Sequence, residues 1–231
     1  MERTRRNFLK CGALAAASLA CTGCPQIDTK HTFSRFTPRP IDRVLVAWFS
    51  QTANTRRLGE LMAAHWQGQH IRVDAADIRE MSPQICTRYD LIMLGAPVNH
   101  FDAPPLIMAW IQKMPPLEGR PVAVFVTHGM PPGNQHNTAC TLLEALAAKR
   151  GIPVGLGTFA HMGTYPPAWA FYPEKTLANA SYPNGRTFQK ARDLADAVLS
   201  RARSGHPVSF SKEFTLDDAK KYILAPWLSR L

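Results

Sequence analysis

From Arg43 onward the chain alternates unbroken apolar runs with amphipathic stretches. Residues 44–49 (VLVAWF) are apolar throughout, as expected of a strand covered on both faces. Residues 50–55 are polar, and Leu58, Leu61, Met62 and Trp66 then recur at helical spacing, which predicts a helix over 55–66. Residues 70–74 predict a short second strand and residues 90–96 a third, ended by Pro97. A helix is expected over 105–113, its leading prolines suiting a first turn. Residues 121–127 form the next apolar run, stopped at Gly129, and 138–149 the next helix, with Gly151 as its C-cap. Residues 154–160 are read as a fifth strand. The last helix, 187–203, gathers Phe188, Ala191, Leu194, Ala195, Val198 and Leu199 on one face. Read as five strand–helix alternations, the pattern predicts an α/β sandwich around a five-stranded parallel sheet. Right-handed crossovers bring the loops after each strand to one edge, where ligands of such sheets bind.

The first 24 residues do not fit this pattern and read as a targeting leader. Thr4-Arg5-Arg6-Asn7-Phe8-Leu9-Lys10 is a twin-arginine pattern, followed by a short Ala-rich apolar stretch and the small residues Ser18-Leu19-Ala20. Such a leader addresses folded proteins for export, which predicts a periplasmic or cell-envelope location. Thr22-Gly23-Cys24 resembles the end of a lipoprotein cleavage box, and Ser18-Leu19-Ala20-Cys21 is a poorer match. Membrane attachment through a lipidated Cys24 or Cys21 and release as a soluble protein therefore both stay open. Residues 25–41, with Pro25, Pro38 and Pro40, read as a linker. Residues 42–205 form the globular domain, and 206–231 a short tail with a helix expected near 217–224.

Composition narrows the function classes. The 231 residues are 45% hydrophobic and 19% charged, enough to bury a core. No apolar run reaches the ~20 residues of a spanning helix. Five cysteines are too few for a disulfide scaffold, and no CxxC…CxxC or HExxH spacing marks a metal site. Beyond the leader only Cys86 and Cys140 remain; export permits a disulfide between them, and two separate buried thiols is the preferred reading. The net charge is +10, of which Arg3, Arg5, Arg6 and Lys10 against Glu2 contribute +3. No dense basic run is interleaved with aromatics, so no nucleic-acid partner is expected. Gly-x-Ser-x-Gly is absent, which weakens a hydrolase reading.

The loops after the strands carry the chemistry. Ser50, Thr52 and Thr55 place three hydroxyls between a strand and a helix start, where backbone N–H groups and hydroxyls together make an anion site. The loop lacks the lysine and the glycine frame of a triphosphate loop, so a metal-free phosphate monoester fits better. An ordinary helix N-cap is the alternative.

Residues 48–55, WFSQTANT, resemble the FMN phosphate loop of flavodoxins, roughly (S/T)-x-T-G-x-T after an apolar strand. Gly95-Ala96-Pro97-Val98-Asn99-His100-Phe101 resembles their second flavin loop, and Thr127-His128-Gly129-Met130 stands where the third begins. The resemblance spans about residues 42–203 and is nearest to the EFR1-type flavodoxin domains; the ferredoxin cysteines that often follow those are missing here. It implies a three-layer flavodoxin-like sandwich with sheet order 2-1-3-4-5 and FMN at the switch point. It also implies cofactor contacts from Ser50, Gln51, Thr52, Ala53, Asn54 and Thr55, from Pro97, Val98, Asn99, His100 and Phe101, and from Thr127, His128 and Gly129. Ala53 replaces the family's loop glycine, which costs about 1 kcal/mol or more if that position needs a positive φ. His100, Phe101, Trp48 and Trp169 are the candidates for stacking on the ring.

A bound flavin would do the redox work. His100 and His128 are the candidate catalytic residues, each able to carry a proton near neutrality, against the alternative of loop histidines facing water. The partner would be a redox protein or a small acceptor such as a quinone. A basic protein should hold its flavin at a less negative midpoint potential than the acidic flavodoxins do. The competing reading is a flavodoxin-fold binding module that has lost its flavin. Trp169, Phe171, Tyr172 and Tyr182 fall in a Pro-rich insert over 164–183, read equally as a lid or docking surface and as a packed surface loop.

Overall fold

The structure, a computed structural model, describes residues 30–99, 102–129, 135–160, 162 and 183–212. The strands are β1 (Arg43–Trp48), β2 (Arg72–Asp77), β3 (Leu91–Pro97), β4 (Pro121–Thr127) and β5 (Ile152–Phe159). The helices are α1 (Asn54–Gly68), α2 (Pro105–Gln112), α3 (His136–Ala148) and α4 (Gly185–Ser204). All four strand pairings are parallel and the order is β2-β1-β3-β4-β5, the expected 2-1-3-4-5.

The apolar runs are buried because both faces of the sheet are covered. On one face Leu45, Ile92, Leu94, Val124 and Val126 pack with α2 and α3. On the other, Val46, Trp48, Met93 and Phe125 pack with α1 and α4. The buried Trp66 indole N–H of α1 donates to Ala195 O of α4 at 3.2 Å, so the two helices on this face are joined by a satisfied polar contact. Gly59 lets α1 approach the sheet, since a Cβ there would lie 2.5 Å from the Trp48 ring.

Three expectations are corrected. The second strand starts at Arg72 rather than 70, because α1 continues to Gly68 and a turn with His70 at φ 64 follows. The alternation breaks between β2 and β3, where two 3-10 turns, Ile78–Glu80 and Pro83–Arg88, stand in place of an α-helix. Asp77 and Ser82 cap these turns through their side chains, local bonds that favour turns over a long helix. The fifth strand begins at Ile152, two residues early, and takes Pro153 into an edge strand, where its missing donor is tolerated at a bulge opposite Val122 and Ala123.

Residues 30–41, read from sequence as part of a linker, pack on the domain. His31 bridges Phe210 in antiparallel fashion, their rings stacked at 4.9 Å, and Ile41 is buried. Phe36 N–H donates to Gly205 O, while a Cβ at Gly205 would stand 2.1 Å from the Phe36 carbonyl oxygen. Glu144 of α3 receives both His31 Nε2, at 3.2 Å, and Lys212 Nζ. The helix expected near 217–224 lies outside the described residues. Cys86 and Cys140 are separate, buried thiols, and burial pushes the Cys86 thiol up to about 12.

Candidate functional site

The loop after β1 builds the centre of the ligand edge. Ala53 is the N-cap residue of α1 and sits in the left-handed region at φ 64, ψ −4, with no side chain to cap the helix. Ser50 Oγ takes one amide instead, accepting Arg56 N–H at 3.3 Å. The N–H groups of Gln51, Thr52, Ala53, Asn54 and Thr55 find no acceptor among the described residues. Gln51 and Thr52 are exposed and Ala53 is half-buried, so this run of amides opens to solvent at the positive end of a 15-residue helix.

The flanks of the loop are anchored inward. Thr55 is buried, and its hydroxyl bonds to the Thr127 hydroxyl at the end of β4, 2.8 Å away. That bond uses one of the pair's two protons. Asn54 is buried and its Nδ2 donates to Met162 O beyond β5. Met162 N–H in turn donates to His128 O at 2.8 Å, and His128 N–H to Phe159 O at 3.0 Å. The loops after β1, β4 and β5 are therefore connected by hydrogen bonds.

The second loop joins the same edge. Pro97 ends β3 opposite Thr127, and Val98 N–H donates to Thr127 O at 2.9 Å. Asn99 and Asp102 exchange backbone bonds of 2.9 and 2.8 Å, and Asn99 Nδ2 reaches Gln51 Oε1 at 3.5 Å. His100 and Phe101 at the tip of this turn lie outside the described residues, as do Met130 and the aromatic insert with Trp169. Gly129 is half-buried. His128 is 5% exposed, so it is not the water-facing histidine of the simplest reading. Trp48 is removed from the stacking candidates: its ring lies against Gly59 inside the α1 face of the core.

Residues after β2, which the sequence did not single out, complete the support. Arg79 grips Asp77 with two bonds of 2.8 Å, donates a third to Ser50 O at 3.1 Å, and lies over the Phe49 ring at 5.4 Å. Burial alone would raise the Asp77 carboxyl, but Arg79's side-chain and backbone hydrogen bonds hold it below the usual carboxylate range. A pocket of about 440 Å³ flanks the loop on this side, lined among others by Trp48, Ser50, Arg56, Asp77 and Arg79. Four of its five charged side chains pair with one another, Arg79 with Asp77 and Arg56 with Glu60 at 3.5 Å, and Glu80 lines it as well. Gln135, at the foot of α3, keeps a buried Oε1 with no partner among the described residues, a spare acceptor close in sequence to the third loop. Among the described residues no cluster of three or more His, Cys, Asp or Glu forms a metal centre.

No family model matches the chain, and no curated protein matches it. Solved structures do. Oxidised flavodoxin 1 from Bacillus cereus aligns with a TM-score of 0.52 at 17% identity, over 68% of this chain and 97% of that one. An archaeal flavodoxin aligns at 0.51 and 11% identity over 69% and 98%, and the Streptococcus pneumoniae TIGR4 flavodoxin at 0.52 and 8% over 69% and 99%. The fold is flavodoxin-like. In that fold the loop after β1 lies at the point where the strand order reverses, between β1 and β3, which is the position for a ligand. The uncapped amides of 51–55 stand at that point.

Proposed function

We propose that the chain is an exported flavodoxin-like FMN protein that transfers electrons or reduces a small acceptor. The observation that carries this is the run of five amides, Gln51 to Thr55, left without acceptors at the start of α1. A helix end without partners is costly unless water or a ligand satisfies it, and a phosphate monoester matches the count and the polarity of these donors. The ordinary N-cap reading loses ground, because the cap position holds an alanine in a left-handed conformation. The residues present thus fit the phosphate end of FMN. Ser50, Thr52 and the amides would hold it, Arg79 would brace Ser50 from behind, and the Asn99–Asp102 turn would border the ring.

Bound FMN would supply one- and two-electron chemistry. Two aligned structures bear on this, one of an oxidised flavodoxin and one of a two-electron reduced flavodoxin from Megasphaera elsdenii, at 16% identity and a TM-score of 0.50. The protein's part is to grip the phosphate, shield the ring and set the charge around it. The twin-arginine pattern supports export with the cofactor already seated, and Cys24 or Cys21 supports attachment to the envelope.

The test is reconstitution. Protein purified from an exporting host should be yellow, should release FMN on heating, and should rebind FMN far more tightly than riboflavin, which lacks the phosphate. Thr52→Glu places a carboxylate in the loop at an exposed position, so it should weaken FMN at least about 100-fold through like-charge repulsion while leaving the melting curve in place. Equal binding of riboflavin and FMN, or a colourless protein that ignores added FMN, overturns the proposal and favours a module without flavin.

A further inference from the structure

We propose that the rim of the sheet opposite the ligand edge is a docking face for an anionic lipid surface. Every strand is entered through an arginine: Arg43 at β1, Arg72 at β2, Arg88 before β3, Arg120 before β4 and Arg150 before β5. Lys113 follows α2, Lys149 follows α3, and Arg201 and Arg203 lie in the last turn of α4. The segment leading into β1 adds Arg35 and Arg39. Against these eleven stand Asp42, Asp74, Asp90 and Glu118, so the rim carries a formal +7. The other described residues hold eight basic and seven acidic side chains. Nearly all of the excess charge of the described residues is thus on one edge.

Local structure consumes only part of this charge. Arg43 is paired with Asp74, Arg120 is paired with Glu118 at 3.7 Å and bonded to the carbonyls of Tyr89, Leu117 and Thr87, and Lys149 is bonded to Gln112 O. Arg35, Arg72, Arg88, Arg150 and Arg201 are exposed and have no carboxylate partner among the described residues. Asp90 is already engaged, accepting the N–H groups of Asp42 and Arg43 at 3.0 and 2.9 Å, and Asp74 is held by Arg43 and Tyr89. Complementing helix C-termini accounts for Lys149, Arg150, Arg201 and Arg203. It also covers Arg88, the last residue of the 3-10 turn Pro83–Arg88, but not Arg72, which starts β2, nor Arg35 and Arg39 in the segment before β1.

Shape and connectivity select the partner. Five adjacent strand starts make a row about 19 Å long. Tyr89, the tyrosine in this row, is buried under Arg43, and among the described residues of the rim no exposed Phe, Tyr or Trp offers a stack for bases. Arg72, Arg88 and Arg150, the three strand-entry guanidiniums without a carboxylate partner among the described residues, suit a flat field of anionic headgroups, where each basic residue near the surface strengthens binding about fivefold. The incoming chain points the same way. Phe36 N–H bonds to Gly205 O, Arg39 Nη2 to Gly119 O at 3.4 Å, and Arg203 Nη2 to Ile41 O at 3.5 Å. A chain tethered through its leader end is thereby drawn in along this rim, leaving the ligand edge turned outward to meet a redox partner.

Vesicle flotation tests this without reference to flavin. The full chain carrying Cys21→Ser and Cys24→Ser, which removes both candidate lipid attachment points, is mixed with phosphatidylcholine vesicles with or without phosphatidylglycerol. Binding should require phosphatidylglycerol and fall with salt. Arg72→Gln, Arg150→Gln and Arg201→Gln together should weaken it roughly 100-fold. A charge-matched control, Arg57→Gln, Arg186→Gln and Arg192→Gln, keeps the same net charge and the same leader and should bind nearly as well as the parent. Equal losses in the two triple variants, binding to phosphatidylcholine alone, or capture by soluble polyaspartate with no vesicle binding would each overturn the proposal; the last would assign the rim to an acidic protein.

Discussion

The two edges of the same sheet are polar in opposite ways. At the ligand edge the charges beside the first loop include the pairs Arg79–Asp77 and Arg56–Glu60, while Arg57 and Arg186 are exposed with no carboxylate partner among the described residues; the loop's own spare capacity lies in main-chain N–H groups. At the far rim the main chain is engaged: Arg72 N–H donates to Asp42 O, Gly119 N–H to Arg150 O and Ile152 N–H to Arg120 O. There the spare capacity is in guanidinium groups. Uncapped amides at a fixed helix start select a small anion by geometry. Long, loosely held arginines select an extended anionic surface by charge alone. The separation also matters for redox tuning. Strands of six to eight residues put the edges about 20–26 Å apart, beyond the ~8 Å screening length at physiological salt. The excess of positive charge therefore contributes little to the potential of a flavin at the ligand edge, and the expectation of a less negative potential rests instead on the charge balance of that edge.

The comparison can be broken first at the rim. Gly205 has φ 69 and meets the Phe36 carbonyl, so Gly205→Ala should cost about 2–4 kcal/mol from left-handed strain plus overpacking. Urea unfolding measures it. FMN affinity of the folded variant should be unchanged; a matching loss of affinity would show that the two edges are not independent.

A smaller effect is expected behind the phosphate loop. Asp77→Asn should lose about 1–2 kcal/mol at neutral pH by removing a charge-assisted grip on Arg79. Because the folded-state pKa of Asp77 is depressed, its contribution is complete above the unfolded value of about 3.9 and disappears as pH falls through the folded value. The gap between parent and variant in thermal melts should accordingly close below about pH 4. A gap that persists in acid would mean that the carboxylate's charge is not what stabilises the loop.

The smallest effect sharpens the site. Ala53→Gly relieves about 1–2 kcal/mol of left-handed strain and gives back part of it in unfolded-chain entropy, for a net gain of about 0.5–1 kcal/mol. A higher melting temperature with FMN affinity held or improved is the expected result, read by calorimetry and fluorescence titration. Destabilisation by glycine would argue that Ala53 does not hold a positive φ.

Much of the architecture was legible because strands buried on both faces are written as continuous apolar runs, and β1, β3 and β4 each read that way. The second strand, RVDAAD, is an edge strand with mostly exposed or half-buried side chains, and its start was misplaced for that reason. The two 3-10 turns that follow offer no helical period to detect. In the candidate site the first loop was legible through its hydroxyls and its helix. Arg79 was not, because an arginine 29 residues from Ser50 reveals its bond to Ser50 O only once β2 lies beside β1. The separation of charge between the edges was equally hidden: eleven basic residues scattered from 35 to 203 form a row only when five strands start side by side.

What the sequence determined by itself was the α/β alternation, the place of the polar loop after the first strand, and the residue types offered there, since each rests on near neighbours in the chain. Tertiary structure decided which groups stay unsatisfied. Thr55 turns to Thr127, Asn54 to Met162 and His128 into the interior, while five amides, the buried Trp48 Nε1 and Gln135 Oε1, and several exposed arginines are left over among the described residues. Hydrogen bonding and charge pairing are claims on partners distant in the chain, and only packing settles who is near enough to answer them.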